Sequence, residues 1–511
     1  VDETAVVVVG AGPTGLTLAC ALRTQGVDVR VLDRAAGPAA TSRANILHAR
    51  GVEVLDRLGA LRGLTEEART AATITSYIGS EPIGRLRFGD VGIGTARPAL
   101  LAPQTMVEAR LRDRLAELGV RPAWSTEVTG VHQDAEGATV TTADGGTVRA
   151  RWVVGCDGAH SAVRRLAGIG FPGAPVADRF LIGDVHMSGM PDREGSHGWQ
   201  HPDGMVAAMP MPRPGRDDGA EGGPDDLWRL MVYLAGEPDG EPDDAEVLRR
   251  LRAAFAHRTG RTDAAVYGAE WVSHFRVHRR LADTYRAGRV LLAGDAAHIH
   301  SPLGGQGMLT GVCDAENLAW KLALVVRSAA APPLLDTYEA ERRPLAEDVL
   351  RTTTAVTRVQ VSGHPLARLL RDRVLARVFA LPAVQRRATA VASQLRVTYR
   401  RGPLAGRTPP GRAPRPGDRV PDLPVRHADG TASRLHAEVG GRWALVARRA
   451  PGVDAVADRL GGPVAALASP RPREGEVWLV RPDAHLAWRG AAGSPGLERW
   501  LGAALRHGGV R

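Results

Sequence analysis

Three clusters of residues in this 511-residue chain have types and spacings suited to handling a nucleotide. The first is Gly10-Ala11-Gly12-Pro13-Thr14-Gly15. A GxGxxG turn that opens a helix lets a pyrophosphate approach the backbone and meet amides that have no intrahelical partner. Gly10 allows the tight turn, Gly12 the close approach, and Gly15 the packing of helix on strand. The second is Asp33-Arg34, where a carboxylate at a strand end can accept from a ribose hydroxyl. The third is Gly294-Asp295 followed by Ser301-Pro302-Leu303-Gly304-Gly305-Gln306-Gly307-Met308. Here an apolar run delivers an acid, and a second glycine turn opens a helix whose amides face an anionic or electron-rich group. Two lesser candidates are Asp157-Gly158, at another strand-to-helix junction, and Arg43. Arg43 reads equally as a pyrophosphate contact and as a solvated loop charge. His160 reads as a base or as a structural histidine beside a turn.

The elements around these residues follow from periodicity. Val6 to Val9 and Val27 to Leu32 are β-branched runs, with Leu16 to Leu22 helical between them. Ala44 to Leu58 is a helix stopped by Gly59, residues 73 to 100 read as β-structure, and Thr105 to Leu118 is a helix preceded by Gln104. Residues 124 to 154 form a β-meander that ends just before Asp157. Residues 175 to 275 differ in texture: short β-like runs, a charged loop from Arg213 to Asp226, and a helix from Asp243 to Phe255. They stand between two nucleotide-handling segments, as an inserted substrate domain would. Helices follow at Leu309 to Val326 and Tyr338 to Leu350. Residues 401 to 418 are too rich in proline and glycine for helix or strand and read as a linker, and residues 419 to 511 carry strands and helices of their own.

Composition excludes several classes. Hydrophobic content is 44%, ordinary for a globular protein, and no apolar run reaches membrane-spanning length. The N-terminal stretch shows no charged leader or cleavage signal, and Cys20, Cys156 and Cys313 are too few and too scattered for a disulfide framework or a zinc site. Both observations point to the cytoplasm. The net charge of +10 is spread arginine, with Lys321 the only lysine, so no nucleic-acid partner is expected.

As a set, the GxGxxG turn, the Asp157-Gly158 segment and the Gly294-Asp295 segment with its glycine turn resemble the FAD-dependent aromatic hydroxylases. These are the single-component flavoprotein monooxygenases typified by para-hydroxybenzoate hydroxylase. The resemblance covers most of residues 1 to 400 and looks nearest to bacterial hydroxylases of aromatic polyketides. It implies an α/β fold: a Rossmann-like FAD-binding domain (1–174 and 276–400) with an inserted β-sheet substrate domain (175–275), and after the linker a C-terminal thioredoxin-like α/β domain. That last domain has no cysteine, so thiol–disulfide exchange is excluded and a structural or assembly role is left.

The resemblance assigns Gly10, Gly12 and Gly15 to the FAD pyrophosphate, Asp33 to the adenosine ribose, and Pro13, Thr14 and Arg34 to the cofactor site around them. It assigns Arg43 and Gln104 to phosphate and ribityl contacts, Asp157 to a segment serving FAD and NADPH, and Asp295 to the ribityl hydroxyls. Pro302, Gly304, Gly305, Gln306, Gly307, Met308 and Leu309 would face the isoalloxazine. Leu309 stands where the family usually has asparagine. NADPH or NADH would bind transiently, O2 would be the oxidant, and a flavin hydroperoxide would hydroxylate a polycyclic aromatic substrate. Two other readings stay open: Baeyer–Villiger oxygenation of a polycyclic ketone, and a non-catalytic FAD-binding auxiliary protein. No catalytic base can be named from the sequence; His186, His197, His201 and Arg87 read as structural or surface residues. A homodimer is left open.

Overall fold

The computed structural model describes residues 2–42, 44–70, 73–87, 94–95, 97–212, 225–234, 240–301, 305–361, 381–405 and 413–509. The first strand, Asp2–Val9, lies between Val29–Leu32 and Thr147–Gly155 and runs parallel to both; Val290–Leu292 adds a fourth parallel strand. Strands are apolar where both faces are covered, and Val6, Val7 and Val8 are fully buried. The helix Pro13–Thr24 crosses from the first strand to the second and packs on the long apolar helix Gly307–Val326. An antiparallel hairpin, Val128–Gln133 with Ala138–Thr142, extends the sheet through Thr147–Gly155. The described parts of the nucleotide-handling segments therefore meet at the carboxyl ends of the parallel strands, where ligands of open α/β sheets bind.

The second sheet has eight strands in the order His298–Ile299, Ala265–Leu281, Gly173–Ser188, Leu227–Leu234, Val206–Pro210, Gly195–Trp199, Thr73–Ile78, Glu81–Arg87. This departs from the division drawn at 174/175 and 275/276. Residues 73 to 87 belong to this sheet, because Thr73–Ile78 pairs in parallel with Gly195–Trp199. The strand Ala265–Leu281 runs through the second boundary without a break. The helix Asp244–Thr259, with Asp243 accepting from the Glu246 amide at 2.8 Å, covers one face. Val247, Leu251 and Phe255 pack there against Trp199 and Trp228. Most of the expected loop, residues 213 to 224, lies outside the described residues.

The C-terminal part is a separate α/β unit with a six-stranded sheet. Its four main strands are ordered Val464–Ala468, Trp443–Ala447, Glu476–Val480, Leu486–Ala491; the first two are parallel and the rest antiparallel. The expected linker is not free where it is described. Leu404 is buried, Tyr399 N donates to Gly417 O at 2.7 Å, and Gly417 N donates to Leu486 O at 2.7 Å.

The C-terminal unit meets the rest of the chain through aromatic packing and buried charge. Trp320 packs edge-on against Trp443, with centroids 5.2 Å apart. Lys321 is fully buried and donates to Glu341 Oε2 and Asn317 Oδ1, both at 2.8 Å. Arg481, from the C-terminal unit, donates to both oxygens of Glu341 at 2.8 and 2.9 Å and also engages Asp483. Arg419 Nε donates to Glu53 at 3.0 Å, and Arg50 reaches Glu316 at 2.9 Å and the Asp483 carbonyl at 2.7 Å. Burial alone would raise the Glu341 carboxyl, but Arg481 and Lys321 outweigh it and hold the group at about 2. Burial lowers the Lys321 ammonium to about 8, Glu341 notwithstanding.

Candidate active site

A single cavity of about 1900 Å³ opens over the carboxyl ends of the parallel strands and continues along the uncovered face of the second sheet. Ordinary ligand pockets span roughly 300–1,000 Å³, so this one has room for two large ligands end to end. Its floor is the first glycine turn. Gly10 has φ +108°, and a Cβ there would strike the Cys156 carbonyl; a Cβ on Gly15 would strike the Gly10 carbonyl. Gly12 differs: nothing lies within 4 Å of where its Cβ would stand. The protein therefore needs Gly10 and Gly15 for its own packing, whereas the space before Gly12 belongs to the cavity. Pro13 occupies the first helical turn, which contains no acidic residue and no side-chain cap, so the positive helix end is left for an anion.

Asp33 lines the cavity and also struts the turn. Its Oδ2 accepts from Ala11 N at 2.6 Å and its Oδ1 from Ala35 N at 2.8 Å. Asp157 Oδ2 caps the helix Ala162–Leu166, accepting from Ala162 N at 2.7 Å and Val163 N at 3.1 Å. Its Oδ1 is buried, has no protein partner and lies at the cavity. Asp295 is exposed to the cavity at the end of Val290–Leu292. Gln104 begins the helix Gln104–Glu117 and donates to Glu108 at 2.8 Å. Gly10, Gly12, Pro13, Thr14, Asp33, Arg34, Gln104, Asp157, Asp295, Gly305, Gln306, Gly307 and Met308 all line this one space.

Two of the expected residues do not line it. Gly15 faces the protein. Leu309 is fully buried, with Cδ1 toward Gly51, so its side chain belongs to the core. Its register on the helix turns it inward, one residue beyond the last cavity-facing position. Arg43, Pro302 and Gly304 lie outside the described residues, as does the side chain of Arg87. The helix Gly307–Val326, like the first, has neither a side-chain cap nor an acid in its first turn.

The far half of the cavity is walled by the second sheet. Phe180 and Phe275 stack with centroids 5.5 Å apart, and Met205 and Met231 pack around them. The helix Pro382–Ala392 contributes Val384, Ala388 and Val391. These residues escaped the sequence reading, since an isolated Phe or Met on a strand looks like core. His197 lines the cavity but is committed: Nδ1 meets Tyr77 Oη at 3.2 Å, Nε2 meets the Asp192 carbonyl at 3.0 Å, and burial lowers its pKa. His186 pairs with Asp226 at 3.1 Å, and His201 sits in a turn with Asp203; neither lines the cavity. His300, also missed, meets the Ser301 carbonyl through Nδ1 at 3.0 Å, and burial lowers its pKa. Its Nε2 is buried and unpartnered at the cavity.

Comparison with known families decides what the cavity is for. Residues 3–353 match the FAD binding domain family, and residues 413–507 match the aromatic-ring hydroxylase C-terminal family. The chain belongs to the FAD-dependent aromatic hydroxylases. It is a flavin monooxygenase, and its cofactor is FAD. The chain is 36% identical to a 12-dehydrotetracycline 5-monooxygenase/anhydrotetracycline 6-monooxygenase of Streptomyces rimosus, over 97% of this chain and 98% of that one. It is 35% identical to a dialkyldecalin synthase of Streptomyces rugosporus, over 98% of this chain and 99% of that one. Among solved structures, aklavinone-11 hydroxylase in complex with FAD and aklavinone superposes with a TM-score of 0.78, at 27% identity over 99% of both chains. No described helix is long and apolar enough to cross a membrane.

The residues present fit FAD. The empty approach at Gly12, two uncapped helix ends of positive sign and the orphaned Asp157 carboxylate oxygen lie around one space. Each lacks a partner that a dinucleotide supplies.

Proposed function

We propose that this flavin monooxygenase hydroxylates a polycyclic aromatic compound of the polyketide type, using a nicotinamide nucleotide and O2. The observation that carries the substrate is the continuity of the cavity, which runs from the glycine turn to the Phe180, Phe275, Met205 and Met231 wall. The amides of the first helix turn hold the pyrophosphate, Asp33 accepts from the adenosine ribose, and Asp295 accepts from the ribityl hydroxyls. Gly305 to Met308 present the second helix end to the isoalloxazine. FAD, when bound, supplies the redox chemistry, passing two electrons from the nicotinamide to O2 so that one oxygen atom enters the substrate and the other leaves as water. The aromatic wall orients a planar ring system against that position and keeps water from it. His300 Nε2 is an acceptor suited to a phenolic proton.

The strand order of the C-terminal unit, with a parallel pair followed by an antiparallel pair, supports a thioredoxin-like reading. Its buried contacts with Glu341 and Glu53 support a structural role.

The test is nicotinamide oxidation by the FAD-loaded protein with a panel of polycyclic phenols and quinones, followed by product masses under labelled oxygen. Ligand-stimulated oxidation with one labelled atom in a phenol is the expected result. A labelled lactone would move the assignment to Baeyer–Villiger chemistry. Tight ligand binding with no stimulated oxidation would favour an auxiliary role, a reading supported by the relative named for dialkyldecalin synthesis.

A further inference from the structure

Asn45 is 3% exposed, and neither its side-chain oxygen nor its side-chain nitrogen has a partner in the protein. An amide buried without partners is costly, and one that lines a cavity is placed to be satisfied by a bound molecule. Its backbone is the opposite, pinned on several sides. The Asn45 carbonyl accepts from Ala102 N at 3.1 Å. The neighbouring Ala44 carbonyl accepts from Gln104 N at 3.0 Å and from the Arg229 guanidinium at 3.0 Å. Ile46 and Leu47 pair with Leu101 and Leu100. The backbone is thus fixed in place, and the residue lines the cavity. It sits next to the second glycine turn, since a Cβ on Gly305 would stand 3.5 Å from Ile46 Cδ1.

We propose that the Asn45 amide is a hydrogen-bonding partner of the pyrimidine edge of the flavin. Two features select that edge. Its surroundings, Gln104 and the Gly305 turn, belong to the residues expected to hold the cofactor. The chemistry also matches: the flavin edge is an imide, with a carbonyl, an N–H and a second carbonyl in a row. A carboxamide offers a donor and an acceptor side by side and can meet both at once. A lone substrate hydroxyl would leave one amide atom unsatisfied.

The test reconstitutes the full-length apoprotein with FAD and with FAD methylated at N3, for wild type and for Asn45→Leu, following affinity and the visible spectrum of the bound flavin. The expected results are about tenfold weaker FAD binding and a shifted spectrum for N45L. Methylation at N3 weakens binding to wild type and adds nothing in N45L. Equal affinity and spectrum for both proteins, or a methylation penalty unchanged in N45L, would overturn the proposal. Should N45L fail to fold, wild type alone decides, because equal affinity for FAD and its methylated form is incompatible with the contact. Loss of substrate binding in N45L with the flavin spectrum unchanged would reassign the amide to substrate. A wild type that takes up no FAD would overturn the cofactor assignment itself, and this proposal with it.

Discussion

Two buried regions of this molecule are rich in polar groups, and they treat those groups in opposite ways. At the joint with the C-terminal unit, Lys321, Glu341, Arg481, Asp483, Arg50 and Glu316 are each paired with another side chain of the chain. At the cavity, Asp157 Oδ1, both amide atoms of Asn45 and His300 Nε2 are buried with no protein partner. Satisfied polar groups specify how one part of the chain sits on another. Orphaned ones that line the cavity are placed to meet a molecule from outside. Burial and polarity alone do not separate the two cases; a missing partner together with a place on the cavity does.

Removing Arg481 should break the comparison most violently. Arg481→Met leaves Glu341 and Asp483 facing each other with less positive charge, and a loss of about 3–5 kcal/mol in chemical unfolding is expected. The acid limb should change as well. Glu341 ordinarily titrates near 4.5 and is held at about 2, so its contribution is fully present above 4.5 and is lost as pH falls through about 2. R481M should flatten that limb.

The two glycines of the first turn sharpen the contrast on the cavity side. Gly15→Ala drives a methyl into the Gly10 carbonyl and should destabilise the apoprotein by about 1–3 kcal/mol or more, read by thermal unfolding. Gly12→Ala meets nothing in the protein and should cost the apoprotein no more than about 1 kcal/mol, yet weaken FAD at least about tenfold by titration. Equal effects on stability would erase the distinction between the two positions.

Alkaline titration isolates Lys321. Its folded pKa lies at about 8 against an ordinary 10.5, so between those values the unfolded chain binds more protons and stability rises with pH. The buried thiols and phenols oppose this, since their raised pKa values favour the unfolded chain as pH climbs. The difference between wild type and Lys321→Met removes that background. It should move in favour of wild type by roughly 1 kcal/mol per pH unit over the window. The smallest effect belongs to an exposed pair. Glu194, 3.1 Å from Arg85 at the surface of the second sheet, should change stability by less than about 0.5 kcal/mol when replaced by alanine.

What the sequence disclosed follows the range of the interactions involved. The glycine turn, Asp33, Asp295 and their helices were legible because each is fixed by neighbours a few residues away. The recruitment of Thr73–Ile78 to the second sheet was not, since its partner Gly195–Trp199 lies far along the chain and leaves no local trace. Lys321 read as an ordinary helical residue, and its helix is where it was expected. Its partner Glu341, however, is supplied by another helix, and Arg481, which shares that carboxylate, comes from the C-terminal unit. Asn45 falls inside the helix expected from Ala44 to Leu58, whereas the observed helix begins at Ala49, and only three-dimensional burial shows that its amide has no partner. Leu309 was placed in the flavin turn by its position in the motif, and helical register sends it the other way.

The joint has one more consequence. The chain contains a single ε-amino group, and it is sealed between Glu341 and Asn317. A reagent that acylates lysine therefore has one internal target, and that target is presented only when the packing around it opens. Nature has left the protein with a built-in clock for that opening, whose rate a mass spectrometer can read as the appearance of one modified peptide.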